Sequence, residues 1–176
     1  QALLKDDQTI KNLKNEDPLD LARMAKVSAS ECYEDSKPEN VIDGYVRDMY
    51  GELNHRWLGV MGSNGAWIDL AWEKPREIRQ VQFTFDTGFH RELTLSSSDG
   101  VTSHMVRAPQ PETVKDYVVK AVTEDGKTVE LARVSGNHQR LRRHTFDPVR
   151  VKSVRLEISA TNGSEQARVY EIRCYG

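Results

Sequence analysis

After Ala25, apolar and polar residues alternate over short stretches, which is the pattern of strands with one face in a core. In residues 81–85 (VQFTF) every second residue is apolar, and the same is true within residues 153–159 (SVRLEIS). Three further strands of this kind are predicted in residues 115–123, 127–134 and 140–146. A period of two indicates β-structure rather than amphipathic helices for these segments.

Turn signals separate the predicted strands, because glycine, proline, Asp and Asn are the residues that tight turns favour. These signals are Asp99-Gly100, Glu124-Asp125-Gly126, Gly136-Asn137, Asp147-Pro148 and Asn162-Gly163. The stretch TEDGKT lies between two strands and predicts a hairpin. About eight short strands without helices between them predict an all-β chain that folds as an antiparallel β-sandwich or jelly roll.

The first 24 residues have a different pattern. Apolar residues there occur at roughly helical spacing, at Leu3, Leu4, Ile10 and Leu13. Asp17-Pro18 predicts the N-cap and first turn of a short helix over PLDLARMA. We therefore predict a helical appendage in residues 1–24 and a sandwich in residues 25–176. The appendage is either a simple extension or the tail of a preceding domain. Because the chain begins at Gln1 and not at Met, we expect a processed chain or a piece of a longer protein.

Composition excludes several classes of function. The net charge is −2, with 38% hydrophobic and 30% charged residues, so no strong attraction to nucleic acid is predicted. The longest apolar runs are only a few residues, too short for membrane insertion. Two cysteines are too few for a disulfide scaffold, and a bridge between Cys32 and Cys174 stays open.

No catalytic motif is complete. The five histidines show no ligand spacing for zinc, and the chain has no Gly-x-Ser-x-Gly motif for a nucleophilic serine. It also has no Gly-x-Gly-x-x-Gly fingerprint for a dinucleotide. The isolated chain is therefore predicted not to be an enzyme and not to bind flavin.

The order of several landmarks resembles a known family. AKVSAS, NVIDG, RW, GAWIDLAWEKPREIRQVQFTF and the terminal EIRCY occur in the order typical of discoidin-like, galactose-binding-type domains. This family includes coagulation factor C-type domains and many bacterial carbohydrate-binding modules. The resemblance covers roughly residues 25–176, and it implies the β-sandwich that the strand pattern predicts. It also implies that Trp57 and Trp67 lie in the core, whereas Trp72 is expected at the surface.

A narrower resemblance concerns KNEDPLDLARMAKVSAS, GNHQRLRRHTF and TNGSEQARVYEIRCYG. These stretches are similar to the C-terminal region of secreted bacterial FAD-dependent oxidoreductases, in which such a sandwich follows a flavin domain. This resemblance implies that any flavin chemistry belongs to an upstream region and that residues 1–24 are its trailing end.

The family often holds one structural calcium ion, and the matching positions here are Asp43 and Glu171, with carbonyls near Asn40 and Tyr45. Calcium is a hard ion that prefers oxygen ligands, so paired acids and carbonyls suit it. The chain departs from the family at His55, which stands where a Thr is usual and is a poor calcium ligand. The alternative is that Asp43 stabilises a turn and that Glu171 pairs with an Arg.

The carbohydrate-binding relatives hold sugars in loops at one end of the sandwich. The matching loops here offer His90 and Arg91 as donors, Phe89 as an aromatic platform and Asn64 as a further polar group. Planar donors suit hydroxyl pairs, and a flat ring suits the apolar face of a sugar. The alternative for His90 and Arg91 is a solvated loop with an ion pair to Asp86 or Glu92.

A second basic stretch is NHQRLRRHTF. Arg140 and Arg142 are predicted on one strand face and Arg143 on the other. Such a cluster could bind anionic sugars or phosphate. It could also be an exposed strand whose charges are offset by acids such as Glu130 or Asp147.

Two functions follow from the resemblance. The first is a non-catalytic carbohydrate-binding accessory module of a larger extracytoplasmic bacterial protein, either secreted or periplasmic. The second is a structural C-terminal domain of an FAD-dependent oxidoreductase, with the upstream catalytic domain as its partner and no glycan ligand.

Overall fold

The computed structural model describes residues 14–48, 54–89 and 98–176, and this part of the chain is mostly antiparallel β-sheet. Its strands are β1 (Lys26–Ala29), β2 (Trp57–Val60), β3 (Ala66–Phe85), β4 (Val114–Thr123), β5 (Thr128–Val134), β6 (Leu141–Thr161) and β7 (Gln166–Tyr175). The helices are short: two 3₁₀ helices, at Leu21–Met24 and Pro38–Ile42, and α1 (Asp99–Ser103). The predicted antiparallel β-sandwich is confirmed.

Two long bent strands, β3 and β6, make the sandwich from one continuous hydrogen-bonded network. β3 and β6 pair antiparallel along their whole length. The strand order of the network is β2-β7-β3-β6-β4-β5, and β1 pairs with β3 outside this order. The register is interrupted between Ala71 and Arg76 and again between Ile78 and Gln80. The chain bends at these irregularities, so the first half of β3 belongs to one sheet and the second half to the other.

The bends explain one difference from the sequence analysis. Asp147-Pro148 was predicted to be a turn between two strands, but it lies within β6. Pro148 falls where the β3–β6 ladder is interrupted, which is where a residue without an N–H group costs no sheet hydrogen bond. The predicted strands at residues 140–146 and 153–159 are therefore two halves of one bent strand. Asp99-Gly100, also predicted as a turn, begins α1.

The core lies between the two sheets and is built from the alternating residues that the pattern singled out. Ile68 and Leu70 of β3 face inward with Leu156 and Ile158 of β6, and all four are at most 1% exposed. Phe83, Phe85 and Tyr117 form an aromatic cluster with ring centroids 5.4–5.9 Å apart. Burial of each such side chain stabilises the fold by about 1.5–3 kcal/mol.

At the predicted TEDGKT hairpin, β4 turns directly into β5.

The N-terminal segment packs on the sandwich from Asn15 onward. The 3₁₀ helix Leu21–Met24 has Asp20 as its N-cap, not Asp17 as predicted, and Pro18 precedes the helix. Asp20 is buried because its carboxylate also accepts a hydrogen bond from the backbone N–H of Cys174 at 3.0 Å. Burial raises the pKa of Asp20. Leu3, Leu4, Ile10 and Leu13 lie outside the described residues, and the division at residue 24 stays a prediction.

The three tryptophans are distributed differently from the expectation. Trp57 is fully buried, as predicted. Trp67 is only half-buried on the outer sheet face, where the guanidinium of Arg155 lies 4.2 Å from its ring centroid. Trp72 is 6% exposed and donates to the carbonyl of Leu21 at 2.8 Å, so its predicted exposure is wrong. Cys32 and Cys174 are free thiols in this structure.

Candidate functional site

The loop after β3 presents an aromatic ring at one end of the sandwich. Its sequence is Asp86-Thr87-Gly88-Phe89, and the Asp86 carboxylate accepts the N–H of Gly88 at 2.8 Å. Gly88 has φ of +73°, a conformation that glycine adopts without a steric penalty. The hydroxyl of Thr113 donates to the carbonyl of Asp86 and ties the loop to the opposite sheet. This local structure leaves the side chain of Phe89 54% exposed.

Arg140 lies beside Phe89, immediately before β6. Its guanidinium carbon is 4.4 Å from the centroid of the Phe89 ring and 5.0 Å from that of Tyr170. Two of its N–H groups donate to the backbone carbonyls of Phe85, at 3.0 Å, and Val46. Burial lowers the pKa of Arg140 from its ordinary value, but the group remains a cation at any physiological pH. The site therefore has a planar cation fixed between two rings.

A hydrogen-bonded triad supports the Tyr170 ring from below. Arg56 donates to the Asp48 carboxylate at 2.5 Å and to the Tyr170 hydroxyl at 2.9 Å. The Tyr170 hydroxyl donates to the same Asp48 oxygen at 3.1 Å. Burial raises the pKa of Tyr170 to about 12, so the hydroxyl keeps its proton and the donor geometry is fixed. The three side chains are linked pairwise by these hydrogen bonds, and a network of this kind orders the side chains around it.

Asp86 also places a buried negative charge under the site. One carboxylate oxygen lies 3.6 Å from Arg56 and 3.7 Å from Arg168, while its side chain is 1% exposed. Among the described residues that oxygen has no hydrogen-bond partner, so its attraction to the two arginines is electrostatic. Asp86 thus has two roles. It stabilises the loop that carries Phe89, and its negative charge offsets the positive charges of Arg56 and Arg168.

The predicted calcium position is built around the Asp43-Gly44 turn. One Asp43 oxygen accepts the N–H of Tyr45 at 2.7 Å, and the other lies 2.8 Å from Nδ1 of His55. Gly44 has φ of +93°, and its carbonyl accepts the N–H of Asn15 at 2.7 Å. Burial raises the pKa of Asp43, and the hydrogen bonds to Tyr45 and His55 oppose this. The turn stabilisation considered as the alternative is therefore present.

Asn40 and Glu171 complete the predicted calcium set. The Asn40 side chain donates to the backbone carbonyls of Asn54 and Arg56, at 2.7 and 3.0 Å. Glu171 is 1% exposed, and one of its oxygens accepts from Arg173 at 2.7 Å, as the alternative proposed. Its other oxygen is buried without a hydrogen-bond partner. Burial raises the pKa of Glu171, while Arg173 opposes this.

These donors fit calcium poorly as they stand. Calcium needs six to eight oxygen ligands, and a cation bound to Asp43 would have to displace the ring nitrogen of His55. Of the acids predicted to bind calcium, Glu171 has one buried oxygen without a hydrogen-bond partner among the described residues. Within the described ranges, no group of three or more His, Cys, Asp or Glu side chains is placed to hold a metal ion. The calcium site stays a prediction.

Comparison with known proteins gives a sequence match over part of the chain and structural matches over most of it. The profile of a domain of unknown function, DUF7402, matches residues 20–88. No curated protein sequence matches the chain significantly. A fucose-binding module from Streptococcus pneumoniae superposes with a TM-score of 0.66 at 10% identity, covering 92% of this chain and 97% of the module.

Two further structures are similar. Chitosan-binding module 1 of a chitosanase/glucanase from Paenibacillus sp. IK-5 has a TM-score of 0.64 at 14% identity, covering 89% of this chain and 98% of the module. The family 32 module of C. perfringens NanJ, solved in complex with galactose, has a TM-score of 0.62 at 13% identity, covering 88% and 96%. This chain has the galactose-binding-like β-sandwich fold. At these identities the likeness shows the fold alone.

On this galactose-binding-like sandwich, the predicted ligand residues are only partly brought together. Phe89 lies beside Arg140 at the candidate site, and its role as a platform for a sugar stays a prediction. Asn64 is exposed in the tight turn between β2 and β3, and among the described residues it has no contact with Phe89 or Arg140. His90 and Arg91 lie outside the described residues. The ligand-site prediction is thus untested for both donors.

The basic stretch has the predicted arrangement of faces. Arg143 donates to Gln82 at 2.7 Å on one side of β6. On the other side, Arg142 donates to Gln139 at 2.8 Å and His144 lies 2.9 Å from the Tyr117 hydroxyl. Glu130, proposed as a partner for this stretch, instead pairs with Arg133.

Sequence reasoning missed four contributors to the site, namely Asp48, Arg56, Arg168 and Tyr170. The Asp-x-Gly turn that places Phe89 was visible in the sequence as DTG, a spacing typical of an Asx turn. Nothing local identifies Arg56, because its partner Tyr170 is 114 residues away in the chain.

Among the described residues, no helix is both long and apolar enough to cross a membrane.

Proposed function

We propose that the chain is a non-catalytic carbohydrate-binding module of a larger extracytoplasmic bacterial protein. The pairing of the exposed Phe89 ring with the fixed Arg140 guanidinium is the observation that carries this proposal. Arg140 lies against the Phe89 ring, and 54% of this residue stays exposed, which leaves aromatic surface for a sugar to stack on. Sugar recognition needs such a ring together with planar donors for hydroxyl or acidic groups.

The fold comparisons support this proposal. The similar structures are named for binding fucose, chitosan and galactose, and each is a module and not a whole enzyme. A flat, partly exposed site of this kind buries little of its ligand. We therefore expect weak binding that depends on a few hydrogen bonds and one stacked ring.

The test is a glycan array followed by calorimetry on the 176-residue chain, with and without calcium. Phe89→Ala should weaken binding to every glycan that the chain recognises, about tenfold or more if one stacked ring is lost. Leu19→Ala is the matched control, since Leu19 is 72% exposed on the N-terminal segment and distant in sequence from the site. Absence of binding to any glycan would refute the proposal.

One observation favours a second function, that of a structural domain packed on an upstream flavin domain. Leu19 and Met24, 72% and 54% exposed, are large apolar side chains on the segment that leads from residues 1–13. Exposed apolar residues grouped in this way are typical of an interface. Leu19→Ser with Met24→Ser should then weaken association with a separately produced upstream domain, whereas Phe89→Ala should not. Equal association of both variants would exclude this role.

A further inference from the structure

In the part of the chain that the structure describes, no acid neutralises the charge of the Arg140 guanidinium by direct contact. Among the described residues, no carboxylate lies within ion-pair distance of it, and its two hydrogen bonds go to the neutral carbonyls of Phe85 and Val46. An arginine has five N–H donors. Three of them remain for a ligand.

The surroundings of Arg140 are also positively charged. Burial is the main cause that lowers the pKa of Arg140, and repulsion from Arg47 lowers it further, whereas Tyr170, Asp86 and Asp48 act in the opposite direction. In the described part of this cluster there are four arginines and two aspartates, an excess of two positive charges, on a chain whose net charge is −2. They are Arg47, Arg56, Arg140 and Arg168 with Asp48 and Asp86.

The two aspartates are held away from Arg140 by their own contacts. Asp48 accepts from Arg56 and from the Tyr170 hydroxyl through one oxygen. Asp86 is buried, accepts the N–H of Gly88 and lies between Arg56 and Arg168. Neither carboxylate can turn to Arg140 without breaking these bonds. The excess charge is therefore available at the Phe89 side of the cluster.

We propose that this site selects an acidic sugar, a uronate residue whose carboxylate pairs with Arg140 while its ring stacks on Phe89. The proposal rests on the proposed carbohydrate-binding function and names its ligand class. A guanidinium group forms two parallel hydrogen bonds with a carboxylate, and the opposite charges attract each other as well. A pair of neutral hydroxyl groups can accept the same hydrogen bonds but adds no attraction between charges. A partly buried cation with aromatic neighbours gains more from an anionic partner than an exposed one does.

Calorimetry with oligogalacturonate and oligoglucuronate, each beside its fully methyl-esterified form, tests the proposal. Esterification keeps the sugar skeleton and removes the negative charge. At least one acid should bind about ten- to a hundredfold more tightly than its ester, and this preference should shrink as salt is raised. Arg140→Gln should abolish the preference, and Arg140→Lys should retain only part of it.

Two controls separate the contributions. Phe89→Ala should weaken acid and ester by the same factor, because stacking does not depend on charge, and so leave the preference intact. Arg150→Gln should change neither affinity, because Arg150 is exposed and paired with Glu124. Thermal unfolding of each variant shows whether it is folded.

Three results bear on the proposal in different ways. Binding of neutral glycans or esters alone would overturn the acidic-sugar inference while leaving the carbohydrate function standing. A preference for acid that survives in Arg140→Gln would overturn the assignment to Arg140. Binding of no glycan at all would instead refute the proposed function, and the acidic-sugar inference with it.

Discussion

Replacing Asp86 by Asn tests whether buried charge organises the ligand end. The substitution keeps the side-chain shape and an oxygen that can accept from the Gly88 N–H, but it removes the negative charge between Arg56 and Arg168. At 3.6 and 3.7 Å, each attraction amounts to about 4–5 kcal/mol at an effective dielectric constant of about 20. Folding also removes water from all three groups, which offsets much of this sum.

We expect Asp86→Asn to lower the free energy of unfolding by about 3 kcal/mol, because it removes the buried acid beside Arg168 and leaves Arg56 with Asp48 alone. Urea denaturation followed by tryptophan fluorescence measures this directly, since Trp57 is fully buried. Arg168→Gln in the Asp86→Asn background should cost less than Arg168→Gln alone, and the difference gives the coupling energy.

Glu124→Gln is the matched control for distance. Glu124 lies closer to its partner Arg150, at 2.8 Å, but both side chains are more than half exposed. Water and salt screen such a pair, so its loss should change stability by only about 0.5 kcal/mol. If Asp86→Asn and Glu124→Gln had equal effects, burial would not be what makes the Asp86 interactions strong, and the account of the site would fail.

Three further predictions concern the turn, the N-terminal segment and the calcium position. Gly44→Ala should destabilise the chain by about 2 kcal/mol in urea, because its Cβ would lie 2.8 Å from a backbone oxygen; Gly126→Ala, with φ of +86° and open space around it, should cost only about 1 kcal/mol. Trp72→Phe removes the hydrogen bond to Leu21 and should lower the free energy of unfolding by about 1 kcal/mol. It should also speed tryptic cleavage at Arg23; unchanged cleavage would mean that this bond does not hold the N-terminal segment in place. Burial raises the pKa of Glu171, which means that its ionised form is unfavourable in the folded state. The contribution of Glu171 to the free energy of unfolding is therefore fully present below the pKa of the unfolded chain, and it is lost as pH rises through the pKa of the folded chain. Glu171→Gln should therefore become more stable relative to the parent as pH rises above the ordinary glutamate pKa of about 4.3 in chelator. The same trend in millimolar calcium would count against a calcium ion at Glu171, and its reversal would support one.

The strands could be predicted from the sequence because their alternation is a local property. The same alternation also predicts correctly whether Trp67 and Trp72 are buried. Ala66, Ile68 and Leu70 are buried at even positions of β3, and a period of two puts Trp72 inside and Trp67 outside. The expectation taken from the family resemblance contradicted this pattern and was wrong at both positions. Local periodicity was the better guide for residues within one regular strand.

The bends and the ligand end could not be predicted in the same way. Pro148 is a turn signal in most contexts, and only the pairing of β6 with β3 makes it a bend within one strand. Contacts at the site join distant parts of the chain, such as Arg140 with Phe85 and Val46. Phe89 was named from the sequence because its loop matches a ligand loop of the carbohydrate-binding relatives, and the structure shows that its ring is exposed. The arginines that surround it become a site only after folding.

Buried charge at the ligand end is better explained by positioning than by stability. An apolar cluster in place of Asp86 and its arginines would often stabilise a domain equally well or better, and most of the buried side chains of this core are apolar. Charged groups are nevertheless buried directly beneath the exposed ring of Phe89, where they fix the loop through Gly88 and, through Tyr170, support the guanidinium of Arg140. A site fixed in advance loses less entropy when a ligand binds. The arrangement therefore has a use if a ligand binds at Phe89 and Arg140, and it has no evident structural purpose if none does.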